Sequence, residues 1–108
     1  MDEKIVKKWI VNTKIGHKHR GYNVNITSEY LYELAIKTTN CPYCGIAFDW
    51  NSANRRNLAY PSLDNITNDV KLNDTNVEII CRRCNTIKGQ RSKKEFIDYC
   101  TKVADKYA

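Results

Sequence analysis

The sequence predicts a small α+β domain stapled by a zinc ion, with a helical region at each end of the chain. Three observations carry that reading. Two Cys-x-x-Cys pairs, Cys41 with Cys44 and Cys81 with Cys84, offer four thiolates, the set that closes a tetrahedral structural site. Both ends of the chain carry apolar residues at helical spacing, whereas 60–66 and 76–80 are short apolar runs of strand length. Finally, 108 residues at a mean hydropathy of −0.63 bury only a modest core, which a structural metal would supplement.

From about Glu3 to Lys14 the chain reads as a helix. Ile5, Val6, Trp9, Ile10 and Thr13 make one stripe with Trp9 in the core, while Lys4, Lys7, Lys8 and Lys14 face out. Gly16-His17-Lys18-His19-Arg20-Gly21 follows as a basic loop suited to phosphate; its His-x-His is a weak metal signal beside a complete cysteine set. Tyr22 to Ile26 alternates like a short strand. Thr27 or Ser28 caps a second helix whose inner face is Tyr30 or Leu31, Leu34 and Ala35, and which stops at Thr38-Thr39-Asn40. Residues 1–39 form a basic helical region and 40–108 the zinc-bound part, the two making one compact unit.

Cys41-Pro42-Tyr43-Cys44-Gly45 is a tight knuckle whose glycine takes backbone angles closed to a β-branched residue. Ile46 to Trp50 reads as its return strand, and Asn51 to Asn57, with Arg55 and Arg56, as a polar loop. Tyr60 to Ile66 is a strand entered through Pro61, and Asn76 to Ile80 is its partner. Between them Thr67 to Thr75 is a polar connection without glycine, longer than a tight hairpin needs. Cys81 and Cys84 open a helix, where peptide dipoles together with Arg82 and Arg83 favour the thiolate. Ser92-Lys93-Lys94-Glu95 is a capping box for a last helix with Phe96, Tyr99 or Cys100, Val103 and Tyr107 on its apolar face. Cys100, the fifth cysteine, reads as a core residue.

No segment approaches a membrane span, and Met1-Asp2-Glu3-Lys4 lacks the basic start and apolar run of a signal peptide, so a reducing cytoplasm is the expected location. Cysteines there are metal ligands, not disulfides. The Asn-x-Thr triplets at Asn25, Asn65 and Asn73 then reflect only a chain rich in Asn. The net charge of +6 is unevenly placed: residues 1–21 carry +4, 22–80 carry −3, 81–94 carry +6 and the tail −1. Two basic blocks flanking an acidic middle suit a polyanion gripped on either side of a cation site, which makes nucleic acid the expected partner.

Cys-Pro-Tyr-Cys-Gly, Pro61-Ser62-Leu63-Asp64, Asn76-Val77 and Cys81-Arg82-Arg83-Cys84-Asn85-Thr86-Ile87-Lys88-Gly89 occur in an order that resembles the HNH endonucleases. The likeness is to the small phage-encoded members and the zinc-containing phage junction-resolving nucleases, over about residues 40–98. It implies a ββα-metal, treble-clef-like hairpin and helix on a zinc scaffold, in the host cytoplasm if the chain is phage-encoded. Either Cys-x-x-Cys pair alone would be unspecific, because zinc ribbons and treble clefs of many functions share it.

Phosphodiester hydrolysis needs a hard cation on the phosphate, a base for the attacking water, and positive groups on the backbone. Under the resemblance, Asp64 is an anionic oxygen ligand and Asn85, fixed by the neighbouring Cys84, a neutral one; together they leave most of an octahedral Mg²⁺ or Mn²⁺ shell open. Asn76 matches the amide that ties the loop. Lys88, Arg82, Arg83 and Arg91 are the candidate phosphate contacts.

The catalytic loop departs from the family. Its Asp-His pair falls on Asp64-Asn65, and an amide cannot take a proton near neutrality; a positioned base is worth about 10²–10⁴-fold. Relatives without the His show Arg-Ile-Asp, where this chain has Asn65-Ile66-Thr67, and the later Gly falls on Lys71. Asp69, Glu78, His17 and His19 are candidate substitutes that no spacing positions. Two functions follow: a metal-dependent DNA endonuclease that nicks or cleaves with an unusual base, or a catalytically inactive zinc module. The second would bind nucleic acid or a protein that handles it, including a host defence nuclease that a phage would block.

Overall fold

The computed structural model describes residues 2–51 and 56–108. Arg55 and the rest of 52–55, expected as loop, lie outside the described residues, as does Met1. The elements run α1 Glu3–His19, β1 Asn23–Asn25, α2 Ser28–Lys37, β2 Pro61–Asn65, β3 Lys71–Asn73, β4 Val77–Cys81, α3 Arg82–Lys88 and α4 Lys93–Tyr107. Among the described residues this is an α+β fold of four helices and two small sheets. β2 and β4 pair antiparallel from Pro61 opposite Cys81 to Asn65 opposite Val77, and β1 and β3 pair in parallel.

The first helix starts where the Asp2 carboxylate accepts from the Lys4 N–H at 2.9 Å. It runs past Gly16 to His19, so the expected basic loop at 16–21 is corrected to the last turn of a helix and its exit. Gly in a helix costs about 1 kcal/mol against Ala. Here Lys18 in the last turn favours the helix C-terminus electrostatically, and the turn out falls instead on Gly21, whose φ of +92° is a left-handed value. α2 is capped by the Thr27 hydroxyl, which accepts from the Tyr30 N–H at 3.1 Å.

One apolar core joins both parts of the chain. Val6, Trp9 and Ile10 from α1 and Leu31 and Ala35 from α2 pack with Leu63, Leu72, Val77 and Ile79. Burying each such large side chain is worth about 1.5–3 kcal/mol. Trp9 also donates from Nε1 to the Pro61 carbonyl at 3.0 Å, tying α1 to the start of β2. β1 from the N-terminal region pairs with β3 from within the expected long connection, so 67–75 is not wholly loop. Lys71 and Asn73 flank the buried Leu72, a single inward residue too sparse to read as a strand.

Two other expectations are corrected. The return strand at 46–50 is only one bridge, Ala47 opposite Asn40, held by the Cys41 N–H donating to the Ile46 carbonyl at 2.8 Å and the Phe48 N–H to Thr39 at 3.1 Å. On α4 the capping box of Ser92 and Glu95 forms, and Phe96 is buried and stacked on Tyr43 with ring centres 5.9 Å apart. Beyond it Tyr99, Cys100, Val103 and Tyr107 are exposed, so Cys100 is not a core residue. The helix continues past the body that its first turn packs against. Among the described residues no helix is long and apolar enough to cross a membrane.

Candidate metal centre and cleft

The two Cys-x-x-Cys pairs meet because the knuckle at 41–45 lies against the end of β4. Cys81 ends that strand and caps α3, so Cys84 falls one turn further on the same side. The Cys41, Cys44, Cys81 and Cys84 sulfurs all lie within 4.8 Å of one another, with Cys44 and Cys81 at 3.6 Å. A tetrahedron with metal–sulfur bonds of 2.3 Å has edges of about 3.8 Å, so the set could hold a metal ion such as zinc. Backbone donors point at sulfur, among them the Cys81 N–H at Cys41 Sγ and the Cys84 N–H at Cys81 Sγ, each at 3.4 Å.

Burial pushes the Cys81 and Cys84 thiols up. Burial also opposes ionisation of Cys41, but backbone N–H groups of Cys44, Cys81 and Tyr43 outweigh it and bring that thiol below its ordinary value. A bound cation would supply the charge that the buried thiolates need.

The β2–β4 pair and α3 stand beside this centre and turn Ser62, Asp64, Asn85 and Lys88 toward one another. Asp64 is 4% exposed and Lys88 2% exposed. Lys88 Nζ donates to Asp64 Oδ1 at 3.1 Å and to the Asn65 carbonyl at 3.0 Å, and the Tyr43 hydroxyl is 3.4 Å from Asp64 Oδ2. Burial raises the Asp64 carboxyl, the Lys88 ammonium pulls it back, and Glu78, opposite on β4, adds to the rise. Burial and the same two carboxylates push the Tyr43 hydroxyl up. Glu78 in turn pairs with Lys93 at 3.4 Å. Asn85 Nδ2 donates to Ser62 Oγ.

A cleft of about 350 Å³ opens at these groups. Ser62–Asn65, Arg82, Asn85, Thr86 and Lys88 line it together with His17 from the last turn of α1 and Arg20 and Tyr22 from the turn after it. A shallower groove of about 250 Å³ continues past His17, Arg20 and Arg82 toward Trp9 and Tyr60. The guanidinium of Arg82 lies 4.9 Å from the centre of the Tyr60 ring.

Not all expected contacts reach the cleft. Arg83 is exposed elsewhere, its N–H donating to Leu58 at 3.1 Å, and Arg91 turns back to cap α3, donating to the Lys88 carbonyl at 3.1 Å. Asn65, expected from the resemblance to stand in place of a His, donates to the Asp69 carbonyl and accepts from the Thr67 N–H at 3.1 Å. Asn76 holds the turn into β4: its Nδ2 donates to the Lys71 carbonyl at 2.7 Å and its Oδ1 accepts from the Asn73 N–H at 2.9 Å. Arg20 belongs to the basic stretch expected to meet phosphate and does line the cleft; Tyr22, Ser62 and Thr86 line it as well, and no charge or spacing marked them for it.

The oxygen donors of Asp64 and Asn85 match Mg²⁺ or Mn²⁺ in kind, and such an ion would polarise a phosphate held beside them. Lys88 competes with it for Asp64 Oδ1. Comparison with protein-family models, curated proteins and solved structures finds no match.

Proposed function

We propose that this chain is a zinc-stapled, HNH-like domain that takes a DNA backbone into the cleft and cleaves it with a divalent ion. In this reading β2, β4 and α3 form the ββα-metal unit, with Asp64 and Asn85 as the oxygen ligands. One observation carries it: the strand and helix fixed by the cysteines present Asp64 and Asn85 in the same cleft as the cationic groups Arg20, Arg82 and Lys88. Positive groups around a polar cavity are what a phosphodiester requires, since its charge must be met where water is excluded.

The test is nicking of a supercoiled plasmid in Mg²⁺ and Mn²⁺ by the wild type, Asp64→Ala and Asn85→Ala, each checked for metal content and fold. Cleavage by the wild type that both substitutions abolish is the expected result. A second reading has its own support, the buried Lys88 ammonium on Asp64, which leaves that carboxylate paired without any divalent ion. Under it the domain binds nucleic acid and does not cut. Folded wild type that binds duplex DNA yet never nicks would favour this alternative and reject the first.

A further inference from the structure

The cleft contains a proton acceptor that the linear motif does not supply. Of the four candidate substitutes for the family's His, three are placed elsewhere. The Asp69 carboxylate caps the Lys71 N–H at 3.0 Å, Glu78 pairs with Lys93, and His19 is exposed and lines neither the cleft nor the groove beside it. His17 lines both cavities, standing where they join. We propose that His17, brought by the N-terminal helix into the same cleft as Asp64 and Asn85, is the base that activates the attacking water in place of Asn65. This inference rests on the cleaving reading above.

The orientation of the ring supports the role. Nδ1 lies 2.8 Å from the Thr13 carbonyl, a contact that needs the hydrogen on Nδ1 and leaves Nε2 without one in the neutral ring, while the Leu63 carbonyl beside the ring favours its protonated form. Tyr22 packs on the ring with centres 5.5 Å apart. The charged groups sharing its surroundings are Arg20 from α1, Asp64 from β2, and Arg82 and Lys88 from α3. Burial lowers the His17 pKa below its ordinary value, the Thr13 carbonyl opposes this, Arg20 adds to the lowering and the Leu63 carbonyl opposes it. A neutral ring is therefore available at neutral pH. A bound phosphate would bring negative charge beside it and strengthen it as a base when substrate is present.

In the step itself the water oxygen forms a bond to phosphorus while its proton passes to His17 Nε2. The scissile P–O bond breaks with its electron pair on the departing oxygen, which takes a proton from solvent. His17 then returns its proton to bulk water. No oxidant, reductant or second substrate is required.

The experiment compares plasmid nicking and duplex-DNA affinity for the wild type, His17→Ala and His19→Ala, with zinc content and melting curves as fold controls. His17→Ala should lose about 10²–10⁴-fold in rate with affinity changed less than about threefold, while His19→Ala nicks like the wild type. Added imidazole should restore part of the lost rate, and the rise of rate with pH set by the ring should vanish from the variant. A folded His17→Ala that nicks as fast as the wild type overturns the assignment and leaves the cleaving reading standing. A wild type that binds DNA but does not nick overturns both.

Discussion

Removing the ammonium of Lys88 is the most informative single perturbation of the cleft. Lys88 and Asp64 are 2% and 4% exposed and 3.1 Å apart, so neither is screened like a surface pair. At that separation an effective dielectric near 20 gives about 5 kcal/mol of attraction. Breaking one side of a buried pair typically costs about 3–5 kcal/mol, because the remaining charge is left without a partner. Lys88→Met keeps the volume and removes the charge, leaving Asp64, among the described residues, with the Tyr43 hydroxyl at 3.4 Å. The expected loss is therefore about 3–5 kcal/mol in urea denaturation at saturating zinc and about pH 8.

The pH dependence follows from the direction of the Asp64 shift. Burial already raises this carboxyl, and Lys88 is the group that pulls it back. Without Lys88 it rises further. A group whose folded pKa lies above its unfolded value favours the fold at low pH and ceases to do so as pH rises through the folded pKa. The deficit of Lys88→Met against the wild type should accordingly shrink on going from about pH 8 to about pH 5. Replacing both partners, as Asp64→Asn with Lys88→Met, should recover most of the loss, since exchanging a whole buried pair for neutral groups is often close to neutral. A loss under about 1 kcal/mol for Lys88→Met, or a double variant no more stable than the single one, would refute the reasoning.

Other outcomes follow from the same contacts. Metal analysis of protein purified under reducing conditions should find one tightly held zinc, and Cys84→Ser, or a strong chelator, should remove it and unfold the chain as judged by circular dichroism. Asn76→Ala breaks the bonds to Lys71 and Asn73 and should cost about 1–3 kcal/mol in chemical denaturation. For His17 the folded pKa is lowered, so the benefit of keeping the ring neutral is present above the ordinary value of 6.5 and is lost as pH falls through the folded pKa; thermal melts of His17→Gln should lack that acid-side loss. Arg82→Ala should weaken duplex binding about equally across sequences and lower the salt slope by about 1, read by anisotropy at several salt concentrations.

The sequence made the local framework legible and left the tertiary closure unread. The four cysteines, the hydroxyl caps of α2 and α4 and the β2–β4 pair follow from spacing, because each depends on residues a few positions apart or on an apolar run. β3 was hidden because only Leu72 in it faces inward and its partner β1 lies far back in the chain. The end of α1 was misread because Gly16 looks like a stop, whereas Gly21 is where the backbone turns left-handed. Tyr99, Cys100, Val103 and Tyr107 repeat at helical spacing, yet periodicity identifies an apolar face and not what packs against it. The site itself was half legible: Asp64 and Asn85 came from the motif, but the Lys88 pairing and the approach of His17 are products of folding.

That division bears on where the boundary near residue 39 belongs. Residues 40–108 contain all four cysteines and the whole motif, so a motif-based cut would make them the functional unit. The contacts argue otherwise. Val6, Trp9 and Ile10 complete the core over Leu63 and Ile79, Trp9 bonds the Pro61 carbonyl, and β1 provides the pairing partner of β3. The cleft likewise needs α1, since His17 from its last turn and Arg20 just after it line the cleft with Asp64 and Asn85. A zinc-held hairpin and helix alone would present those two residues on an open surface, where water weakens every charge interaction that a phosphate could use. The N-terminal helix turns that surface into a cleft, so stability and the proposed chemistry both draw on residues that the motif does not contain.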